Sequence, residues 1–320
     1  MKIILGKDIR SLNISPRICV EWVRESFSLK KYSQLPAKIS VHPQETDFFT
    51  SMPCLLPYDC DNNIRYFGIK EVHKIEGAEP SLGSDLLLYD AIKGELLALM
   101  DADWITTMRT GAVAALTAKV LRRKDSKSYG IIGLGNTARA FLLCLLESEP
   151  DTHINVKLLQ YKNQAELFMQ RFDDYENVTF QVVDDIIELT GTVDVLVSCI
   201  TSAHGLLVED VNLFPEGITV IPIHMRGFQN CDTVFDRVFG DDTDHVKGFK
   251  YFNQFKKYNE IGEVLAGHDT GRENEKQRII AYNYGLGLHD VVFASKIFEM
   301  SQKTCLAEID INKETKKFWI

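Results

Sequence analysis

The chain has 320 residues, of which 45% are hydrophobic and 25% charged, with a formal net charge of −9. This is the composition of an ordinary globular protein, long enough for one large domain or two medium ones. Its negative charge repels phosphate backbones, so nucleic acid is a poor candidate partner. No apolar run is long enough to span a bilayer, and the apolar stretch at the N-terminus is too short for a secretory signal.

The chain has seven cysteines, and no two of them form a CxxC pair. They stand at positions 19, 54, 60, 144, 199, 231 and 305. An odd number without metal-ligand spacing predicts reduced thiols, most of them buried, in a cytoplasmic protein. We therefore expect neither disulfides nor a metal site.

The first part of the chain predicts a mixed α/β domain. A helix is expected at 16–30, followed by strands at 38–41, 47–52, 66–72, 86–90 and 95–100, with a hairpin turn at 90–94. A long helix at 104–123 then has apolar residues at helical spacing, and Asp103 precedes it as a candidate N-cap.

From residue 129 the pattern becomes alternating β and α. Strands are predicted at 129–133, 155–159, 178–183, 193–199, 218–223 and 233–239, with helices at 138–148, 164–172 and 184–189. Such alternation predicts a doubly wound parallel sheet of the Rossmann type. A last helix at 289–298 is expected to return to the first domain. The predicted division is therefore 1–122 with 281–320, and 123–280.

The turn after the first of these strands reads GLGNTA and fits GxGxxA. Gly133 permits the tight turn, Gly135 lets the backbone approach a pyrophosphate, and Ala138 lets helix and strand pack closely. Asn136 and Thr137 begin the helix, whose free N–H groups attract phosphate. The turn predicts a nicotinamide dinucleotide site, the alternative being a turn with a structural role only.

The second strand of this unit ends without the acid that usually accepts the ribose 2′-hydroxyl in NAD sites. The chain reads Leu159-Gln-Tyr-Lys162 at that place, so Gln160 is the candidate ribose ligand. NAD is the preferred cofactor, and NADP stays open.

Several motifs together resemble the ornithine cyclodeaminase/mu-crystallin family. They are Met52-Pro53, Gly68-Ile-Lys70, the segment Leu99–Ala112 that leads into the glycine turn, and Gly285–Asp290. The resemblance covers nearly the whole chain. It implies a homodimer whose discontinuous α+β domain binds substrate and forms the dimer, with the NAD(P) domain between its two parts.

The resemblance also implies roles for individual residues. Lys70 matches the active-site lysine and Arg109 the arginine that binds the substrate carboxylate, while Lys38 replaces a second arginine and lacks its bidentate fork. The alternatives are a solvated lysine and a surface ion pair. Further cofactor contacts are expected from Ser81, Thr110, Ser198, Thr201 and Asn283.

His224 stands where cyclodeaminases carry an aspartate that performs acid/base chemistry. Histidine exchanges protons near neutral pH, so His224 is a candidate general acid/base, and the nearby Arg226 is a candidate carboxylate ligand. The alternative is a neutral histidine that satisfies a backbone group.

The element Asp241-Asp-Thr-Asp-His245 resembles the 2,3-diaminopropionate-forming branch of the family. That branch implies NAD-dependent oxidative cleavage of N-(2-amino-2-carboxyethyl)-L-glutamate to 2-oxoglutarate and L-2,3-diaminopropionate. The acids are interpreted as helix caps rather than metal ligands. Ornithine cyclodeamination, cyclic imino acid reduction and a binding role like that of mu-crystallin are the alternatives.

Overall fold

The computed structural model describes residues 1–201, 203–224, 226–303 and 306–311. It divides into two compact units. The first comprises residues 1–14, 29–106 and the chain from Asp290 onward, and the second comprises 15–28 and 107–289. The predicted α/β class is confirmed, because one sheet is mixed and the other is parallel throughout.

The first unit contains a seven-stranded sheet in the order β15-β1-β6-β5-β4-β3-β2. Its strands are β1 (Lys2–Ile4), β2 (Ile39–Val41), β3 (Phe48–Leu55), β4 (Tyr66–Lys74), β5 (Leu82–Asp90), β6 (Glu95–Asp101) and β15 (Ala307–Glu308). A short helix, α1 (Gly6–Ser11), follows β1. The strands from β2 to β6 pair antiparallel, as the alternation in the sequence predicts.

Helix α9 (Gly287–Met300) packs against β4 within this unit from Asp290 onward. A Cβ atom added at Gly68 would lie 2.6 Å from Cγ2 of Val291, so only glycine lets the helix approach this closely. Gly68 and Lys70 lie two residues apart on one strand and therefore face the same side, the side that α9 covers.

The second unit contains an eight-stranded sheet in the order β13-β12-β14-β11-β10-β7-β8-β9. Its strands are β7 (Ser128–Ile132), β8 (Ile154–Leu159), β9 (Val178–Val183), β10 (Val195–Ser198), β11 (Thr219–Pro222), β12 (Arg237–Gly240), β13 (Tyr258–Glu260) and β14 (Ile279–Tyr282). Its helices include α2 (Pro16–Leu29) up to Ser28, α3 (Asp103–Leu121) from Thr107 onward, α4 (Asn136–Ser148), α5 (Gln164–Met169), α6 (Ile186–Gly191), α7 (Thr243–Val246) and α8 (Ile261–Leu265).

Every strand pair in this second sheet is parallel, so all carboxyl ends meet at one edge. The chain starts in the middle with β7, continues to β8 and β9 on one side, and resumes with β10 on the other side. The strand order therefore reverses between β7 and β10. Ligands of doubly wound sheets bind outside the carboxyl ends at such a point.

The structural units differ in extent from the predicted domains. Residues 15–28, 107–122 and 281–289 belong to the unit with the parallel sheet, although the sequence-based division placed them in the other domain. Packing accounts for α3, because a Cβ at Gly111 would lie 2.4 Å from backbone atoms of α4. Within the same unit, Ser26 bonds to His289. Residues 312–320 of the predicted first domain lie outside the described residues.

Two local predictions were wrong. Asp103 is the first residue of α3 rather than its cap, and its amide bonds instead to Oδ1 of Asp101 at 3.0 Å. The strand predicted from residue 233 begins only at Arg237, because the preceding residues form turns, including the bond from the Phe235 amide to the Cys231 carbonyl. Among the described helices, none is long and apolar enough to cross a membrane.

Candidate active site

The predicted glycine turn joins β7 to α4 at the carboxyl edge of the parallel sheet. Gly133 has a φ of +80°, and a Cβ there would lie 2.8 Å from the amide nitrogen of Ile200, which follows β10. A Cβ at Gly135 would meet nothing within 4 Å, and no side chain caps α4 at this residue. The start of α4 therefore has open space beside Gly135 and no side-chain cap, which suits a pyrophosphate.

The residues after β8 form the neighbouring part of this edge. The exposed Gln160 donates its backbone amide to the carbonyl of Val183, and Lys162 adopts a left-handed φ of +51°. The Lys162 ammonium lies 5.3 Å from the centre of the Tyr161 ring. No carboxylate lies in this turn, so its side chains leave the choice between NAD and NADP open.

A part-buried hydrogen bond joins the end of β10 to the residues that follow β11. The Ser198 hydroxyl lies 2.7 Å from Nε2 of His224, and the serine is completely buried. Burial lowers the pKa of His224 below its ordinary value of 6.5, and a backbone bond with Arg226 opposes this effect. His224 is therefore neutral at pH 7 and available to accept a proton.

Two further predicted residues, Asn283 just after β14 and Arg109 on α3, lie near the same edge. The buried Asn283 donates from Nδ2 to the Thr117 hydroxyl at 3.2 Å, and its Oδ1 has no hydrogen-bond partner among the described residues. Gly285 donates its amide to Asp241 at 2.6 Å, and a Cβ on it would lie 2.4 Å from Nη1 of Arg109. Arg109 is only 6% exposed, which excludes a surface ion pair.

The acidic element after β12 has a structural role. Asp241 is buried and accepts the Gly285 amide, while Asp242 accepts the amide of Asp244 and caps α7. The prediction that these acids cap a helix is confirmed for Asp242. Within the described residues, no group of three or more His, Cys, Asp or Glu side chains could hold a metal ion.

Lys70 lies on β4 of the first unit and forms a buried ion pair. Its Nζ lies 2.9 Å from Oδ1 of Asp290, and both side chains are completely buried. The charge of Asp290 and, more strongly, burial raise the pKa of the nearby Cys54 thiol to about 12. Because the Lys70 side chain is completely buried, the alternative of a solvated lysine at a strand end is excluded.

Lys38 and Ser81 occupy different places on the same sheet. Ile39 pairs with Ser51 and Met52 pairs with Lys70, so the half-buried Lys38 lies at the level of Lys70 across β3. Ser81 precedes β5, whereas Lys70 pairs with Leu86. Ser81 is five residues from Leu86 along the strand direction, which is roughly 16 Å, so the sheet does not place Ser81 beside Lys70.

The other predicted residues of the second unit lie at or near its carboxyl edge. Thr201 follows β10 and is exposed, Arg226 follows β11 and is exposed, and Thr110 lies beside Arg109 on α3. Asn136 and Thr137 begin α4, and Ala138 is buried. Asp290 was not predicted as a site residue, although it is an acid in the first turn of α9 and ends the motif Gly285–Asp290.

The chain belongs to the ornithine cyclodeaminase/mu-crystallin family, whose model matches residues 3–304. Among its curated relatives, alanine dehydrogenase of Archaeoglobus fulgidus is 27% identical over 315 residues, 93% of this chain and 94% of that protein. The N-((2S)-2-amino-2-carboxyethyl)-L-glutamate dehydrogenase of Staphylococcus aureus is 23% identical over 255 residues, 76% of this chain and 75% of that protein.

The fold is shared with a solved structure as well. Δ1-pyrroline-2-carboxylate reductase of Thermococcus litoralis, in complex with NADH and L-proline, superimposes with a TM-score of 0.82. It is 24% identical, and the match covers 97% of this chain and 100% of that chain. At this identity the likeness establishes the fold.

Proposed function

We propose that this protein is an NAD-dependent oxidoreductase that acts at the Cα–N bond of an amino-acid-derived substrate. One observation carries the proposal: the uncapped start of α4 and the part-buried Ser198–His224 pair lie at the same edge of one parallel sheet. The first feature suits the phosphates of a dinucleotide, and the second supplies a neutral base.

The described residues fit a dinucleotide at this edge. Gly135 leaves space that a Cβ would take from a pyrophosphate, and the unpartnered Oδ1 of Asn283 is a buried acceptor that a carboxamide or amine N–H would satisfy. Thr110 and Thr201 are further candidate contacts, and Gln160 is the candidate ribose ligand. When bound, nicotinamide supplies the hydride acceptor or donor.

The proposed substrate is N-(2-amino-2-carboxyethyl)-L-glutamate or a secondary amine like it. The likeness to the staphylococcal dehydrogenase and the presence of His224 support this choice. The secondary amine, NAD⁺ and water give 2-oxoglutarate, L-2,3-diaminopropionate, NADH and one proton. Arg109, Lys38 and Arg226 are proposed to hold carboxylates. His224 accepts the proton that water loses when it adds to the substrate imine, and Lys70 is the second candidate for proton transfer.

Reduction of a cyclic imino acid is the second candidate. It uses the same cofactor at the same carbon–nitrogen bond in the opposite direction, and the fold likeness to the Thermococcus reductase favours it. A homodimer remains a prediction.

An NADH absorbance assay tests the proposal and separates the candidates. The purified protein is incubated with NAD⁺ and, separately, with the glutamate–diaminopropionate adduct, L-alanine, L-proline and L-ornithine. We expect NADH with the adduct only. NADH from proline alone would support the second candidate, and proline made from ornithine without net NADH would contradict both. Dinucleotide binding without turnover of any substrate would favour a binding protein.

The pH profile provides a second prediction. Because burial lowers the pKa of His224 below 6.5, the fall in kcat/KM on the acid side should be centred at a lower pH than for an ordinary histidine. The profile of His224→Gln should lack this acid limb and show a rate lower by about 100-fold or more. An unchanged acid limb in His224→Gln would contradict the assignment of His224 as the base.

A further inference from the structure

Ser198 is an unusual residue for its position in the sheet. It ends β10, a strand whose four residues are all buried, and follows three apolar side chains. A hydroxyl removed from water is costly unless it makes a hydrogen bond. Among the described side chains, the recorded partner of this hydroxyl is His224, at 2.7 Å from Nε2.

The backbone ladder fixes this contact from both strands. Ser198 pairs with Pro222 in the register of β10 and β11, and the amide of Ile223 donates to the Ser198 carbonyl at 2.9 Å. His224 is the next residue, so its Cα position is determined by a ladder that continues past the strand end. The centroid of the Phe228 ring lies 6.3 Å from that of the imidazole, with the two rings tilted by 35°.

We infer that Ser198 is a positioning residue for His224 and not a ligand of the cofactor. Its hydroxyl holds Nε2 and thereby fixes the orientation of the ring, and its removal changes the balance between the two neutral tautomers. The inference rests on the proposed function, in which His224 accepts a proton. This role differs from the cofactor contact expected of Ser198 from the sequence, because the Ser198 hydroxyl bonds to the imidazole of His224.

A double-mutant cycle tests the inference. In Ser198→Ala we expect kcat to fall by about 10- to 100-fold, because a misplaced base loses part of the rate that proton transfer contributes. The Kd for NADH should change by less than about twofold. The same substitution in a His224→Ala background should cause no further fall in kcat. Ser198→Thr, which keeps the hydroxyl, should restore most of the rate. Ser126→Ala is the matched control, because Ser126 is also buried and its hydroxyl has no partner among the described residues.

The ring nitrogens report the contact without any turnover. In ¹⁵N-histidine spectra at pH 7.5, His224 of the wild-type protein should show one neutral tautomer, and Ser198→Ala should show a mixture. A weaker NADH affinity of Ser198→Ala, equal in both backgrounds, would overturn the inference in favour of a cofactor ligand. An unchanged tautomer and rate would overturn it as well. Failure of the wild-type protein to bind NADH would instead contradict the proposed function, and the tautomer would still report on Ser198.

Discussion

Replacing Lys70 with methionine is expected to lower the free energy of unfolding by about 3–5 kcal/mol and to abolish turnover. The ammonium and the Asp290 carboxylate are 2.9 Å apart and completely buried, so the substitution removes this cation from a buried carboxylate. Chemical denaturation measures the first effect, and the NADH assay with the adduct measures the second.

The double variant Lys70→Met/Asp290→Asn separates stability from chemistry. Removing both charges should recover most of the lost stability, because neither member of the pair then leaves the charge of the other without its partner. Turnover should stay at least about 100-fold below the wild-type rate if Lys70 takes part in proton transfer. Recovery of both stability and activity would show that Lys70 serves only as the partner of Asp290. Asp290→Asn alone is the control, and it should be destabilised in the same way as Lys70→Met.

Gly135→Ala is expected to weaken NADH binding by at least about tenfold, equivalent to ~1.4 kcal/mol, and Gly135→Val to weaken it further. The backbone of Gly135 is extended, with a φ of −84° that any residue adopts, and a Cβ there meets no protein atom within 4 Å. The fold should therefore tolerate both substitutions, with melting temperatures equal to or slightly above that of the wild type. The added carbon lies in the space proposed for the pyrophosphate.

Two other glycines define the controls for this experiment. Gly248 also has open space around a Cβ, so Gly248→Ala should leave the NADH affinity unchanged. Gly133→Ala is less informative, because a φ of +80° and the contact with Ile200 predict a destabilised fold. Unchanged NADH binding in both Gly135 variants would place the pyrophosphate elsewhere.

The sequence predicts the dinucleotide turn well because its determinants are local. Glycine at 133 and 135 and a small residue at 138 act within a few positions of one another, and an apolar strand and helix flank them. Short strands were harder to predict. Four buried apolar residues, as in β14 (Ile279–Tyr282), have no period that separates a strand from part of a helix.

The partners of the candidate site residues could not be predicted from the sequence. Asp290 is 220 positions away from Lys70, and Ser198 is 26 positions from His224 across a strand register that only the fold defines. Local spacing also suggested Asp103 as a cap, whereas its carboxylate accepts from the amide and hydroxyl of Ser84. Hydrogen bonds between residues distant in sequence thus determine which amide each carboxylate accepts from.

The measurement that tests the central claim most directly is a titration of the purified protein with NADH, followed by its fluorescence, for the wild type and for Gly135→Val. We predict saturable binding by the wild type that Gly135→Val largely loses, followed by NADH production when NAD⁺ and the adduct are added to the wild-type protein. The absence of saturable NADH binding by the folded wild-type protein would contradict the account.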